Sequence, residues 1–206
     1  MSVTRRLPRY YRCLSDLMEQ GKERISSREF AQIIGFTASQ IRQDLNCFGG
    51  FGQQGYGYNI IALHMEIGRI LSVDSQFPAV LIGAGNLGAA LINHLGFEQQ
   101  GFRLTGIFDN SPAVIGKTIR HWTVCSADDL ESFCGASCPV AAILCVPDSA
   151  ALGVFETLVR CGVKAFWNFT HHDLSLLHKD KVIVENVYLS DSLMTLTYLV
   201  GELLEG

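Results

Sequence analysis

The sequence predicts an α/β chain in two parts, a small helical front end and a parallel, doubly wound sheet behind it. Three observations carry this. An apolar run at 79–82 leads into Gly83-Ala84-Gly85-Asn86-Leu87-Gly88, a G-x-G-x-x-G turn opening a helical stretch at 89–95. From residue 78 onward, short apolar strands alternate with helical segments. Before that point, two short helices with capping signals flank Gly35 in a basic segment.

Taken in order, Leu7, Tyr10, Tyr11, Leu14, Leu17 and Met18 fit one face of a helix that has Pro8 near its first turn and stops at Gly21. Ser26 and Glu29 form a capping box for a helix at 27–34 whose Phe30, Ala31, Ile33 and Ile34 turn inward. Gly35 ends it, and Thr37 to Gln40 repeats the pattern. The next helix, 38–48, has Ile41, Leu45 and Phe48 at helical spacing, with Ser39, Gln40, Arg42, Gln43 and Asn46 facing out. Amides and guanidinium groups near a recognition-helix N-terminus are the groups that read base edges in a major groove. The stretch 49–58 interleaves glycines with Phe51, Tyr56 and Tyr58, which suits a tight hairpin. A hairpin in that place is the wing of a winged helix. Residues 60–71 continue as an amphipathic helix, and 72–78 reads as the boundary.

Behind the boundary, Gly83 allows a tight turn, Gly85 a close approach of bare backbone to a pyrophosphate, and Gly88 close helix–strand packing. An acidic residue is expected about 20 residues on, and Asp109 stands there at the end of the strand 102–108. A helical stretch near 128–133, a strand at 140–146, a helix at 149–161, strands at 165–168 and 182–187, and a final helix complete a Rossmann pattern. Leu189, Leu193, Leu196, Val200, Leu203 and Leu204 give that last helix one broad apolar face with nothing following to cover it. The domains expected are thus 1–77, 78–187 and 188–206, and the bare face predicts a homodimer.

Composition narrows the function. The 206 residues carry a net charge of −4, unevenly spread. Residues 1–60 hold eight Lys/Arg against five Asp/Glu, net +3, and residues 61–206 hold eight against fifteen, net −7. A basic front on an acidic protein suits a polyanion partner for that end. No apolar run is long enough to span a membrane and no leader-like start is present, so the chain is expected to be soluble and cytoplasmic. Seven Cys include no C-x-x-C pair, and Cys134 and Cys138 have no His or second Cys pair at zinc spacing, so reduced thiols and no metal are expected. Cys145 ends a strand near the nucleotide turn and reads as a small buried hydrophobe. His171 and His172 read as a loop pair without a catalytic role, and no catalytic residue is assigned. The physical reading is a nucleotide sensor joined to a DNA reader. The rivals are a small NAD- or CoA-binding enzyme with a regulatory front end, and a nucleotide-binding scaffold that has lost DNA affinity.

From about residue 8 to 201 the chain resembles the Rex family of redox-sensing transcriptional repressors. The resemblance rests on residues 39–58, on Gly83 to Gly88, and on Phe108-Asp109-Asn110-Ser111-Pro112, Val146-Pro147, Trp167-Asn168-Phe169 and Val184-Glu185-Asn186-Val187. It implies a homodimer on a palindromic, inverted-repeat operator of double-stranded DNA, released as NADH rises against NAD, with the last helix swapped between subunits. By motif position it implies NAD(H) as cofactor. Gly83, Ala84, Gly85, Asn86, Leu87 and Gly88 would hold the pyrophosphate, and Asp109 with Asn110 the adenosine ribose. Val146, Pro147, Asn168 and Phe169 would line the nicotinamide side. Arg9, Arg12, Ser39, Gln40, Arg42, Gln43, Gln53, Gln54 and Tyr56 would face DNA.

The chain departs from the family pattern in places. Gln43, Gln53 and Gln54 stand where relatives usually carry cations, which implies weaker DNA binding with a shallower salt dependence. Ala89 replaces a frequent Arg, Thr170-His171 a usual Ala-Pro, and Tyr188 a frequent Asp. Thr170-His171 and Tyr188 fall where the nicotinamide redox state is thought to be transmitted, so they bear on the NADH response.

Overall fold

The structure, a computed structural model, describes residues 2–49 and 56–205. The chain divides into two compact units, residues 1–74 and 75–206.

In the first unit, α1 (Val3–Glu19) turns through Gly21 into β1 (Arg24–Ile25), followed by α2 (Ser27–Ile34) and α3 (Ala38–Asn46). Then β2 (Tyr58–Asn59) leads directly into α4 (Ile60–Leu71). Each start is capped by the residue type the sequence supplies there. Ser26 accepts from the Glu29 N–H at 3.1 Å, Thr37 from Gln40 at 3.1 Å and Asn59 from Ala62 at 2.8 Å. Gly35 ends α2 at φ 72°, a left-handed conformation that costs glycine nothing. The Glu29 side chain pairs with Lys22 instead of reaching back to Ser26, so half of the expected capping box forms. Leu7, Tyr10, Leu14, Phe30, Ile41, Leu45, Ile60, Leu63 and Ile67 make the core.

Several expectations need correction. Ile33 is 51% exposed, so α2 buries Phe30, Ala31 and Ile34 only. Pro8 lies well inside α1, where it removes one intrahelical N–H without ending the helix. The recognition helix stops at Asn46, short of Phe48. Tyr58 pairs antiparallel with Ile25 of β1, a two-residue strand that no periodicity announces. The rest of the expected wing, with Gln53 and Gln54, lies outside the described residues.

One polar group sits in this apolar core. Asp44 is 2% exposed on the inner face of α3. Arg6 grips it with Nε and Nη2 at 2.6 and 2.7 Å, the Tyr10 hydroxyl donates to it at 2.6 Å and Gln40 Nε2 at 2.7 Å. The same node pushes Tyr10 up, by burial first and then by the bond to Asp44, and pushes Arg6 up through its bond to Asp44.

In the second unit the strands are β3 (Phe77–Ile82), β4 (Phe102–Asp109), β5 (Thr118–Ile119), β6 (Trp122–Ser126), β7 (Ala141–Leu144), β8 (Ala165–Asn168) and β9 (Ile183–Asn186). They form one sheet in the order β5-β6-β4-β3-β7-β8-β9, parallel except for β5 against β6. The winding reverses between β3 and β7, which makes the crevice at their carboxyl ends the switch point. Helix α5 (Asn86–His94) packs Ile92 on one face, while α6 (Leu130–Ser137) and α7 (Asp148–Arg160) pack Leu130, Phe155 and Leu158 on the other. The connection from β8 to β9 contains a single 3₁₀ turn at Leu174–Leu176, and Leu174 serves the α6–α7 side. On the α5 side the end of the sheet therefore lies open as an apolar groove of about 460 Å³ against Leu95, Phe97, Ala141, Ala165, Trp167 and Ile183. Helix α8 (Leu189–Glu205) ends the chain.

Here too the sequence needs correcting. Helix α5 starts at Asn86 rather than 89, with the glycine turn running straight into it. Ser75 to Phe77 belong to the second unit, because the Phe77 N–H already bonds to Gly101 O at 2.8 Å as the sheet begins. Leu189, Leu193, Leu196, Val200, Leu203 and Leu204 share one broad face of α8 and are all exposed, with Leu199 at its edge and Met194 and Tyr198 opposite, among Asp191, Thr195 and Glu202. No helix among the described residues is long and apolar enough to cross a membrane.

The Asp44 node makes a pH-dependent prediction. Burial raises its carboxyl pKa, but bonds from Arg6, Tyr10 and Gln40 outweigh that, and the net value lies below the usual carboxylate range. A depressed pKa stabilises above the unfolded value, about 3.9, and that stability is lost as pH falls through the lower folded value. Asp44→Asn should lower the Tm of the helical unit by several degrees near neutral pH. In circular-dichroism melts the gap from wild type should close below about pH 4; a gap independent of pH would place the stabilisation elsewhere.

Candidate functional site

Each unit presents its own candidate surface. On the first, Ser39, Arg42, Gln43 and Asn46 recur at three- and four-residue spacing and are all exposed, so they form one polar stripe along α3. Arg42 Nη1 donates to Ser27 Oγ at 3.0 Å, tying the stripe to the start of α2. Gln40 differs from these: it is half-buried and one N–H of its side-chain amide goes to Asp44, which ties the start of α3 to the core. Arg9 and Arg12 are exposed on α1, with the Arg9 guanidinium 5.2 Å from the Phe36 ring centre in the turn between α2 and α3. Tyr56 is 71% exposed, and its carbonyl accepts from Arg24 Nη1 at 3.4 Å.

On the second unit the turn after β3 is fixed by backbone contact. A Cβ on Gly88 would lie 1.9 Å from the Gly83 carbonyl oxygen, and one on Gly83 would lie 2.4 Å from the Cys145 carbonyl oxygen. Gly83 also takes φ 97°. Gly85 differs, since a Cβ there would meet no protein atom within 4 Å. The space over Gly85 is therefore open to a ligand, and the N–H groups of Asn86, Leu87 and Gly88 sit in the first turn of α5, where an α-helix gives its N–H groups no partner. Open backbone next to unpaired N–H groups at a helix N-terminus fits a pyrophosphate.

Asp109 stands across the turn at the end of β4. Its Oδ2 accepts from the Ala84 N–H at 2.7 Å and its Oδ1 from the Ser111 N–H at 2.8 Å. The Ala84 N–H is thus engaged by Asp109 and does not face the anion, which corrects its place in the expected cradle. The half-buried carboxylate is held rigidly, with acceptor capacity left on both oxygens for hydroxyl donors. Asn110 is exposed beside it.

The far side of the crevice comes from the ends of β7 and β8. Val146 and Phe169 are half-buried, and Pro147 is exposed as the residue before α7. The Phe169 ring packs edge-on against Trp167 at 4.5 Å. Asn168 needs correction, being fully buried. Its Nδ2 donates to the His172 carbonyl at 2.8 Å and to Asn186 Oδ1 at 2.9 Å, while its Oδ1 accepts from the Thr170 N–H at 3.1 Å and hydroxyl at 2.9 Å. It shapes the loop and has no spare group for a ligand. Burial pushes the Cys145 thiol up to about 12, so it is neutral and inert near pH 7.

Sequence reasoning missed one pair on this rim. Asp148, the first residue of α7, accepts the His171 backbone N–H on Oδ1 at 2.8 Å, and its Oδ2 lies 3.3 Å from His171 Nδ1. Twenty-three residues separate them, and no spacing rule reaches that far. Among the described residues no three His, Cys, Asp or Glu gather as a metal site.

Comparison with known proteins agrees with this division. Residues 1–46 match a family model described as "Putative DNA-binding protein N-terminus", and residues 74–172 one described as "CoA binding domain". The redox-sensing transcriptional repressor Rex of Clostridioides difficile (strain 630) is 52% identical, over 98% of this chain and 95% of its own. That of Caldanaerobacter subterraneus subsp. tengcongensis is 49% identical over 98% and 89%. The crystal structure of RSP in complex with beta-NAD+ and operator DNA superposes with a TM-score of 0.89 at 49% identity, covering 97% of this chain and 91% of that one. RSP in complex with beta-NADH gives 0.89 at 46%, covering 98% and 94%.

The three glycines separate packing from binding. Gly88→Ala must displace the Gly83 carbonyl and should destabilise the second unit by about 1–3 kcal/mol. Gly85→Ala meets no protein atom, so the Tm should hold while affinity for a dinucleotide falls at least about tenfold, the equivalent of one displaced contact of 1.4 kcal/mol. Thermal melts with and without nucleotide check both; unchanged affinity in Gly85→Ala would remove the ligand from this turn.

Proposed function

This chain belongs to the Rex family of redox-sensing transcriptional repressors, and we propose that it represses transcription in the cytoplasm by reading the NADH/NAD balance. NADH releases it from an inverted-repeat operator. The observation that carries this reading is the presence, in one chain, of a polar recognition-helix stripe and a dinucleotide crevice closed by a fixed carboxylate. Ser39, Arg42 and Gln43 read or position on DNA, while Arg9, Arg12 and Tyr56 contact phosphates. Gly85 to Gly88 receive the pyrophosphate, Asp109 the ribose hydroxyls, and Val146, Pro147 and Phe169 the nicotinamide side. Asp109 repels a 2′-phosphate and Asn110 and Ser111 bring no cation to offset it, so NAD(H) is preferred over NADP(H).

The working form is a homodimer. A helix with a broad exposed apolar face and an apolar groove at the open end of the sheet occur in the same unit. A second copy, exchanging α8, covers both, since each such side chain contributes about 1.5–3 kcal/mol when buried. Two-fold symmetry then sets two α3 stripes on a palindromic site. An enzyme has less support. The Cys145 thiol is neutral, and the described crevice sets no general base and nucleophile within reach of each other.

Two measurements test this. Operator binding of the full chain should withstand NAD+ and fail on addition of NADH at the same concentration, with NADPH much weaker; equal effects of NADH and NADPH would take Asp109 out of the ribose site. Truncation after Val187 should give monomers or insoluble protein in light scattering, and an unchanged dimer would assign assembly to another surface.

A further inference from the structure

The oxidised and reduced dinucleotides share every atom of the adenosine diphosphate half and differ at the nicotinamide ring, which is a cation when oxidised and neutral when reduced. A residue that distinguishes them responds either to that charge or to ring shape. The loops at the ends of β7 and β8 frame that side of the crevice. Next to those strand ends their ionisable side chains are Cys145, Asp148, His171, His172 and Asp173. Asp173 is engaged by the Ser175 N–H and hydroxyl and by Asn186 Nδ2. Burial keeps Cys145 neutral. His172 offers its backbone carbonyl to Asn168 and its side chain is exposed. Asp148 and His171 remain, and they are bound to each other across the two loops.

Their geometry sets them side by side: His171 Nδ1 lies 3.3 Å from Asp148 Oδ2. The backbone N–H of the same residue occupies the other oxygen at 2.8 Å. Asp148 also opens α7, whose N-terminal dipole favours a negative charge there. Carboxylate and imidazole thus stand together at the rim, tied by the backbone bond between the two loops.

We propose that Asp148 and His171 set the preference between the two redox forms: the Asp148 carboxylate favours the cationic oxidised ring, and His171 tempers it. This rests on the nucleotide reading above, which places the nicotinamide at these loops. Neither residue belongs to the glycine turn or is a hydrogen-bond partner of Asp109, to which the same reading assigns the adenosine half, so affinity and discrimination are separable.

The test is calorimetric titration of the full chain with NAD+, NADH and ADP-ribose, for wild type, Asp148→Asn and His171→Ala. Asparagine keeps an acceptor for the His171 N–H, and alanine keeps that N–H, so the loop connection survives in both. Asp148→Asn should weaken NAD+ about two- to fivefold, the scale of a solvated charge pair, with NADH and ADP-ribose nearly unchanged. His171→Ala should shift the NAD+/NADH affinity ratio the opposite way. Both shifts should shrink with added salt, as screened charges do and packing defects do not. A ratio that stays constant, or moves the same way in both variants, overturns the proposal. Wild-type protein that binds ADP-ribose but shows no ratio change in the variants leaves the nucleotide site standing and removes this pair from it. Wild-type protein that binds none of the three overturns the nucleotide reading and the proposal together.

Discussion

The nucleotide unit depends on one contact without side chains, the approach of α5 to the end of β3. Gly83 presses against the Cys145 carbonyl and Gly88 against the Gly83 carbonyl, at distances no Cβ tolerates. Three elements, β3, β7 and α5, thus meet backbone to backbone. That packing brings the first turn of α5 to the carboxyl edge of the sheet, and the orphan N–H groups there follow from helix geometry alone. Asp109 completes the arrangement by taking the Ala84 N–H, which locks the turn to β4. A fold constraint and a binding surface are here the same few atoms.

The DNA-reading unit has a different organiser. Asp44 is a charge inside an apolar core, and such an ion pair is weak evidence for added stability, because desolvation offsets much of the attraction. Its effect is on orientation. With both oxygens saturated by Arg6, Tyr10 and Gln40, α3 can rotate little about its axis. The rotation that buries Asp44 turns Ser39, Arg42, Gln43 and Asn46 outward, so a buried carboxylate decides which side chains a partner meets.

Much of this was legible from the residues, for identifiable reasons. The glycine turn with Asp109 reads correctly because each glycine answers a steric need. Helix α4 matches its expected bounds, since Asn59 caps it and the apolar spacing runs unbroken. The two-residue strands β1 and β5 are too short to show a period, and β6, interrupted by Thr123, presents no unbroken apolar run. Asp44 could have been found: three residues from Ile41 and next to Leu45, it falls on the apolar face and demands a partner. Asn168 was misassigned because a motif position says nothing about burial. The loop bonds of Thr170 and His171 were unreadable, since their acceptors come from tertiary structure. The broad apolar face of α8 is legible because Leu189, Leu193, Leu196, Val200 and Leu203 recur at three- and four-residue spacing.

Sensing asks more of the crevice than binding does. A ligand with equal affinity for two states shifts neither, however tightly it binds. In the reading proposed above, the glycine turn and Asp109 address atoms that both redox forms share, and so supply affinity without discrimination. The same reading leaves the separation of the two forms to the ends of β7 and β8, where Val146, Pro147 and Phe169 stand beside the Asp148–His171 pair. Asn168 takes part by holding the β8 loop in register with Asn186 of β9, two residues before Tyr188 and the start of α8. The strand end that this reading places at the nicotinamide side is therefore bonded, side chain to side chain, to the strand that launches the exposed apolar helix.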